Sequence, residues 1–290
     1  MYTVRTTNRF NLPEAFIRFD QRNAHSRGDA DLSATELIDS PRIRKLRMRY
    51  SDRITSDISE RIMSILGTAV HNILEQGAPS ECTVEERLFM DVGELTISGQ
   101  IDLQTPTQDG VLISDYKTTG SYAVKSNPKG KPEWVRQLNV YAALAEANGR
   151  NVSGLEVIAV IRDWSAANLE RQKDYPESPV VRIPIEMWSA EVRDQFIRSM
   201  AESHTNKGLS ECSSEERWEQ PTKYAVYGET STRARKVFDN LIDAQEYMMR
   251  FSGVGRIEER IGESIRCKSY CPVSEYCSQW KEIQESKTDG

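Results

Sequence analysis

Asp115 and Lys117 close an apolar run in the stretch "GVLISDYKTTG", residues 110–120. On a β-strand, side chains two residues apart lie on the same face, so this carboxylate and this amine are predicted to point the same way. A carboxylate can hold a divalent cation. An amine beside it can orient a water molecule or stabilise charge on a phosphoryl oxygen. The pair therefore indicates metal-assisted chemistry at the end of a buried strand.

A second carboxylate, Asp102, lies on the preceding predicted strand, "ELTISGQIDLQ", which the turn "TPTQDG" joins to the strand of Asp115. Apolar and polar residues alternate in that strand, a pattern typical of a strand with one buried face. Paired antiparallel strands can bring the two carboxylates together. Two acids on one face of a sheet attract a hard divalent cation, and carboxylate oxygens suit Mg²⁺ or Mn²⁺.

The flanking segments predict the elements that must position these groups. "DISERIMSILGTAVHNILEQ", residues 57–76, carries a helical stripe of apolar residues spaced four and three apart: Ile58, Ile62, Leu66, Val70 and Ile73. After it come the strand "TVEERLFM", the two strands of the carboxylates, a helix over 133–148, the strands "GLEVIAVIRD" and "SPVVRIPI", and the helix "EMWSAEVRDQFIRSMAESH". This order predicts an α/β fold with a central mixed sheet flanked by helices.

Composition limits the classes of protein that the chain can belong to. It has 290 residues, of which 38% are apolar and 28% charged, as in a globular protein. No apolar stretch reaches the ~18 residues that a membrane span needs, and "MYTVRTTNRF" has no apolar signal core. We therefore expect a cytoplasmic protein without membrane partners. The net charge of −6 gives no global attraction to nucleic acid, so binding would need local basic patches.

Three such basic patches occur in the chain. Residues 31–53 predict a short capped helix and then a basic helix, which carries Arg42, Arg44, Lys45, Arg47, Arg49 and Arg53. A Gly/Pro loop after the Asp115 strand carries Lys125, Lys129 and Lys131, and a predicted hairpin tip carries Arg233, Arg235 and Lys236. Each patch is open to two interpretations, a solvated surface or contact with a nucleic-acid backbone.

The C-terminal segment "IRCKSYCPVSEYCSQW" holds Cys267, Cys271 and Cys277 in a C-x3-C-x5-C array. Three cysteines so close together indicate a metal site, which needs a fourth ligand, either Cys82 or Cys212. We favour Cys212, because it follows the last predicted core helix, whereas Cys82 lies in a loop. Four thiolates suit a [4Fe–4S] cluster or a structural Zn²⁺ equally well.

Four short motifs occur in a fixed order: "GTAVH", "GQID", "DYK" and "QLNVY". This order and spacing resemble the RecB-like nucleases of the PD-(D/E)XK superfamily, and the chain is similar to iron–sulfur-containing exonucleases such as the CRISPR-associated spacer-acquisition nucleases and phage exonucleases. The resemblance covers residues 58–165. It implies a restriction-endonuclease-like core and a nuclease activity that depends on a divalent metal.

The resemblance also implies roles for individual residues. The metal ligands would be His71, Asp102, Asp115 and the Tyr116 carbonyl; Lys117 would be the catalytic lysine; and Gln137 and Tyr141 would match a Q-x-x-x-Y motif that lies along the DNA. Asp115 stands where many relatives carry Glu, which is a tolerated difference. Glu75 and Glu86 are further acids that can be considered for the site.

For the cysteines, the resemblance favours iron and implies an iron–sulfur region at the C-terminus, held by Cys212, Cys267, Cys271 and Cys277. The CRISPR-associated relatives place their first cysteine before the helix of the motif histidine, where this chain has Ser40. The expected organisation is a basic helical region over 1–56, a nuclease core over 57–205 and the cysteine-rich region over 206–290.

The leading hypothesis is a metal-dependent DNA exonuclease in recombination, repair or phage DNA processing. Its substrate would be DNA that is single-stranded or has free ends, and its partners would be proteins of recombination or DNA replication. One alternative is a spacer-acquisition nuclease that works with an integrase. Another is a non-catalytic nucleic-acid-binding protein on a decayed nuclease fold. The direction of digestion, the strand preference and the oligomeric state do not follow from the sequence.

Overall fold

A computed structural model describes residues 5–22, 26–250 and 255–288 of the chain. Parts of the predicted N-terminal region, residues 1–4 and 23–25, therefore lie outside the described residues, as do residues 251–254 of the predicted C-terminal region. No described helix is long and apolar enough to cross a membrane.

The helices are α1 Glu14–Arg22, α2 Ala34–Ile38, α3 Pro41–Arg49, α4 Ile58–Gln76, α5 Ser121–Ser126, α6 Pro132–Ala147, α7 Ala166–Arg171, α8 Ala190–Thr205, α9 Leu241–Arg250, α10 Ile265–Ser269 and α11 Ser278–Thr288, with a 3-10 turn at Ser274–Tyr276. The strands are β1 Arg5–Thr7, β2 Leu32–Ser33, β3 Thr55–Asp57, β4 Thr83–Val92, β5 Leu95–Thr107, β6 Gly110–Thr119, β7 Val152–Ile161, β8 Val180–Ile185, β9 Lys223–Gly228, β10 Lys236–Phe238 and β11 Gly255–Arg260.

The predicted α/β fold with a mixed sheet is confirmed. Six strands form one sheet in the order β2-β5-β6-β7-β8, and β4 also pairs with β5. The β6–β7 and β2–β5 pairs are parallel, whereas β4–β5, β5–β6 and β7–β8 are antiparallel. The predicted order of α4, β4, β5, β6, α6, β7, β8 and α8 is the order that the structure shows.

Local sequence signals fix the ends of the helices that carry the motifs. The carboxylate of Asp57 accepts a hydrogen bond from the Ser59 backbone N–H and caps α4. The helix α6 begins with Pro132, which lacks the N–H that a first helical turn leaves unpaired. The helix α6 then packs into the core of the sheet, where Leu138, Val140 and Leu144 are fully buried.

The strands β5 and β6 separate where the acidic motifs begin. Their ladder runs from Thr107–Gly110 to Leu103–Ser114, and beyond that pair β6 continues beside β7 as far as Thr119. On the edge towards β5, the backbone of β6 after Ser114 therefore needs partners outside this ladder. The motifs of Asp102 and Asp115 lie directly at this separation.

The described residues fall into two compact units. One contains 5–22, 26–41 and 55–209, with the six-stranded sheet. The other contains 42–54 and the described residues from 210 onwards, with an antiparallel sheet in the order β10-β9-β11. Most of the predicted N-terminal basic helix, α3, thus groups with the cysteine-rich region. The predicted boundaries at residues 57 and 206 stay predictions.

Several elements were absent from the sequence prediction. The basic Gly/Pro loop begins with the short helix α5, and Ser121, at its start, is held by hydrogen bonds from its backbone N–H and its hydroxyl to Asp163. The two-residue strand β2 and the edge strand β11 were also missed. Each is too short or too polar for an alternation pattern to identify it.

Alanine substitutions at the two motif glycines, Gly99 and Gly67, should change the stability of the fold in opposite directions. A Cβ on Gly99, in β5, would lie 2.5 Å from Leu144 Cδ1 and 2.8 Å from Tyr141 Cε1 of α6, whereas a Cβ on Gly67, inside α4, meets nothing within 4 Å. Gly99→Ala should therefore destabilise the fold by about 1–3 kcal/mol through overpacking. Gly67→Ala should stabilise it by about 0.5–1 kcal/mol through helix propensity.

Urea denaturation followed by circular dichroism would measure both changes. Equal stability of the Gly99 and Gly67 variants would contradict the close packing of α6 on β5.

Candidate active site

Asp102 accepts a hydrogen bond from the backbone N–H that the strand separation leaves unpaired on β6. Tyr116 N donates to Asp102 Oδ2 over 2.7 Å, and the carboxylate is 7% exposed. Burial, followed by the nearby charge of Asp115, raises the pKa of Asp102 to about 7. A buried acid beside another acid is costly without a compensating cation, so this carboxylate is poised to gain one.

His71 reaches the backbone of the same residue, Tyr116, from α4. Its Nε2 lies 2.9 Å from Tyr116 O, and because a carbonyl can only accept, Nε2 is the donor. Its Nδ1 faces two carboxylates, at 3.5 Å from Asp102 Oδ2 and 3.8 Å from Glu85 Oε1. Burial lowers the pKa of His71, but the hydrogen bond with Glu85 and the charges of Asp102 and Asp115 outweigh it, and the pKa is raised. Nδ1 is therefore the nitrogen open to a second proton or a cation.

Glu85 is an acidic neighbour that sequence reasoning missed. It lies between the ladder pairs Val84–Leu103 and Glu86–Ile101, and so stands directly opposite Asp102. Its φ of 48° is in the left-handed region, which a non-glycine residue rarely adopts. One possible metal-ligating atom from each of His71, Glu85 and Asp102 lies within 4.8 Å of the other two. Two directly opposed carboxylates repel each other unless a cation lies between them.

Neither acid that the sequence offered as an addition joins this group. Glu86 forms an ion pair with Arg150 and accepts a hydrogen bond from Gln104 over 2.8 Å. Glu75 is exposed on α4. The signal that could have distinguished Glu85 from Glu86 is the register of β4 against β5, because only residue 85 stands opposite Asp102.

Asp115 and Lys117 form the pair that their spacing predicts. Lys117 Nζ lies 2.6 Å from Asp115 Oδ2 as an ion pair outside hydrogen-bond geometry. Asp115 is almost fully buried, and about a quarter of the Lys117 side chain is exposed. The amine is therefore held over a buried acid while it keeps access to solvent.

Gln137 and Tyr141 lie one turn apart on α6 and contact the same pair. Gln137 Oε1 accepts from Lys117 Nζ over 3.0 Å, and its Nε2 donates to Asp115 Oδ1 over 3.2 Å and to Tyr141 OH over 2.8 Å. Both side chains are buried, and burial raises the pKa of Tyr141 well above its ordinary value. In this arrangement they support Lys117 and Asp115. Their predicted course along DNA stays a prediction.

The geometry brings together the motif residues that the sequence singled out around Asp115, whereas Glu75 and Glu86 lie outside the group. The ligand atoms of His71, Glu85 and Asp102 lie within 4.8 Å of one another at the strand separation. The Tyr116 carbonyl accepts from His71, and Asp115 is paired with Lys117 beside this group. This set suits a hard divalent cation, whose preferred ligands are oxygen atoms, and the lysine adds a positive group for a phosphoryl oxygen.

Four of the five cysteines meet elsewhere, in the unit that contains α3 and α11. Cys212, Cys267, Cys271 and Cys277 line one small cavity, and no cysteine forms a disulfide. Gln279 of α11 holds the backbone of Cys212, accepting from its N–H and donating to its carbonyl, each over 2.9 Å. Cys82 lies apart from this cavity, within hydrogen-bond distance of Thr105, at 3.7 Å.

The thiols at this cavity are crowded and partly desolvated. Burial, followed by the neighbouring thiols, raises the pKa of Cys267 to about 11, and burial raises that of Cys271. Within the described residues, no three of these sulfur atoms lie within 4.8 Å of one another. Cys267 and Cys271 are therefore protonated at neutral pH, and a metal that they take up must displace protons.

The predicted basic helix contributes to this cavity. Arg42 of α3 is buried, and its guanidinium donates to Cys277 Sγ over 3.2 Å and to Ser278 Oγ over 2.8 Å. Arg47 and Arg49 are exposed at the end of the same helix. The segment therefore has two roles in the fold, with one arginine turned towards the cysteines and others towards solvent.

The other predicted basic patches lie mostly at the surface. Lys129 is exposed, Lys125 donates to the carbonyl of Lys173, and Lys131 lies over the Trp134 ring. Arg233 is exposed near the tip of the β9–β10 hairpin. The lysines of the loop after β6 follow the strand of Asp115 and Lys117 directly in the chain.

The comparisons with known proteins bear on this site. A search of curated proteins finds no match. A solved structure described as "Crystal structure of SSO0001" is similar, with 17% identity, a TM-score of 0.47, and coverage of 71% of this chain and 89% of the other. Residues 77–278 match the family described as the PD-(D/E)XK nuclease superfamily, a range that contains Asp102, Asp115 and Lys117. Because this match spans more than half of the chain, the protein belongs to the PD-(D/E)XK nuclease superfamily.

Proposed function

We propose that this protein is a divalent-metal-dependent DNA exonuclease that hydrolyses phosphodiester bonds from DNA ends, in recombination, repair or phage DNA processing. Members of the superfamily are typically metal-dependent nucleases. The observation that carries the proposal is the opposed pair Glu85 and Asp102 beside His71, with Lys117 held next to Asp115. In a site that had lost its activity, nothing would offset the free-energy cost of burying these charged side chains.

The residues that would hold Mg²⁺ or Mn²⁺ are His71, Asp102, Asp115 and the Tyr116 carbonyl, with Glu85 as a further acid. The chemistry that such a cation supplies is acidification of a water molecule and stabilisation of charge on the phosphate. The hydrogen bond from His71 Nε2 to Tyr116 O orients the imidazole so that its Nδ1 faces Asp102 and Glu85.

Lys117 is the residue proposed to act on the reacting groups. Gln137 and Asp115 fix its amine at 3.0 Å and 2.6 Å, so a water molecule that the amine contacts is held in one orientation. The positive charge also favours the phosphate oxygen on which negative charge develops.

The cysteine cavity is proposed to hold a [4Fe–4S] cluster through Cys212, Cys267, Cys271 and Cys277. The C-x3-C-x5-C spacing lacks the paired C-x2-C ligands common in zinc ribbons, and the resemblance favours iron. The proposed role is structural, since the four ligands join the tail to the segment that begins at Ser210.

The proposed exonuclease activity predicts that DNA is degraded only if it has free ends. With Mn²⁺, end-labelled linear DNA should be digested, and a covalently closed circle should survive. Lys117→Ala and Asp115→Ala should each slow digestion at least about a hundredfold, since each removes a group that acts in the transition state. Gel analysis of a time series would measure both effects.

Rapid cutting of the closed circle would contradict the exonuclease assignment. Full activity in either variant would contradict the assignment of the site. The Gly67→Ala variant is a matched control, because it alters a neighbouring motif without touching these groups.

Metal affinity should separate the roles of the two residues and should depend on pH. Asp115→Ala should lose Mn²⁺ binding in calorimetry, and Lys117→Ala should largely retain it, because lysine supplies no ligand. In the unsubstituted protein, affinity should rise as pH increases through about 7, since the cation must replace the proton of Asp102. Asp102→Asn should bind weakly and without this rise.

The same raised pKa affects stability in a defined direction. The metal-free fold favours protonated Asp102, so its stability should fall as pH rises from about 4 to about 7, and Mn²⁺ should restore it. Metal affinity that is flat from pH 6 to 8 would show that Asp102 is not a ligand.

The proposed cluster predicts the behaviour of cysteine variants. Protein purified without oxygen should be brown and contain iron. Cys212→Ser and Cys267→Ser should each lose the colour, the iron and much of the solubility, because losing one ligand removes folding free energy. Cys82→Ser is the matched control and should keep all three. Stoichiometric zinc without iron would overturn the cluster, and a colourless Cys82→Ser would show a different fourth ligand.

A further inference from the structure

Gln100 stands next to the opposed acids without facing the site directly. In the β4–β5 ladder it is paired with Arg87, two positions along from Glu85 and Asp102 and therefore on the same face of the sheet. Its Nε2 donates to Glu85 Oε2 over 2.8 Å, and its Oε1 accepts from Arg87 Nη2 over 2.5 Å. A chain of hydrogen bonds thus runs from a cation through an amide to an acid.

Arg87 determines which way this amide points. A guanidinium can only donate, so the amide oxygen of Gln100 must face it and the amide nitrogen must face Glu85. Arg87 is itself held through a 3.4 Å contact with the hydroxyl of Ser98, a fully buried residue that donates to the Arg27 carbonyl. The orientation of Gln100 therefore follows from partners outside the site.

Glu85 needs such a restraint for two reasons. Its φ of 48° is a conformation that costs free energy for a residue with a side chain, and Asp102 stands directly opposite it. Repulsion would otherwise turn the carboxylate out towards solvent. The Gln100 amide holds Oε2, and Oε1 is left facing His71 Nδ1 at 3.8 Å.

We propose that Gln100, oriented by Arg87, is a positioning residue that holds Glu85 as a third acidic ligand of the metal through its Oε1 oxygen. This inference rests on the proposed metal-dependent nuclease function. It assigns to Gln100 and Arg87 the outer contact that many ligand side chains need in order to keep their geometry.

The strand β5 itself provides a matched control. Gln104 also donates over 2.8 Å to a glutamate of β4, but its partner is Glu86, which is paired with Arg150 and not with the site. Gln100→Met and Gln104→Met each delete one amide of the same length from the same strand. Only the first should weaken metal binding.

The experiment is a Mn²⁺ titration of the full chain, followed by electron paramagnetic resonance of the free ion. Gln100→Met should raise the dissociation constant about tenfold or more, and Gln104→Met should leave it unchanged. Arg87→Met should weaken binding in the same direction, and it serves as the second variant if Gln100→Met does not fold. Circular dichroism would establish that each variant is folded.

A double-mutant cycle distinguishes positioning from a general structural effect. If Gln100 acts through Glu85, Gln100→Met should add no further loss in a Glu85→Gln background. Additive losses, or equal affinity of the Gln100 and Gln104 variants, would overturn the proposal while leaving the nuclease site in place. Failure of the unsubstituted protein to bind Mn²⁺ would overturn both.

Discussion

The separation of β5 from β6 after the Leu103–Ser114 pair is the constraint on which the site depends. A strand that leaves its neighbour exposes backbone groups that cannot stay unpaired in a buried place. Here the Tyr116 N–H is satisfied by Asp102 and the Tyr116 carbonyl by His71. The backbone of one residue, Tyr116, therefore brings a side chain from the sheet and a side chain from α4 to the same point. The potential ligands cluster because they provide the hydrogen bonds that the backbone of β6 needs. Gly99 lets α6 approach β5 closely, and so keeps the α6 side of the site near the strands.

The charges around this point are balanced only in part. Lys117 offsets Asp115 directly, but Glu85 and Asp102 face each other with His71 as the nearest group able to carry positive charge. Burial raises the pKa of Asp102 and lowers that of His71, whereas the neighbouring carboxylates raise both pKa values. A site of this kind responds to a divalent cation by releasing protons. At the cysteine cavity, burial and the neighbouring thiols raise the pKa of Cys267, and burial raises that of Cys271, so a metal bound there would have to displace protons.

Much of this arrangement could be predicted from the sequence, and the limits have identifiable causes. The period of apolar residues predicted the order from α4 to α8, because those elements are long and bury one face or both. The spacing of Asp115 and Lys117 predicted their contact, since a strand places such residues on one face. Glu85 could not be found in this way: choosing it over Glu86 requires the register of two strands and a left-handed backbone conformation. The meeting of Cys212 with the three later cysteines joins residues more than fifty positions apart, so the sequence could favour it over Cys82 but not derive it.

The two glutamine networks explain why amides and not further charges surround the acids. Gln137 accepts from Lys117 and donates to Asp115, and Gln100 accepts from Arg87 and donates to Glu85. An amide transmits orientation from a cation to a carboxylate while adding no charge of its own. In the second network, Gln100 also lies between the Arg87 guanidinium and the Glu85 carboxylate. A direct ion pair between Arg87 and Glu85 would neutralise a carboxylate that the site needs as an anion. With the glutamine between them, Glu85 is held by one oxygen and retains its charge and its second oxygen for a cation.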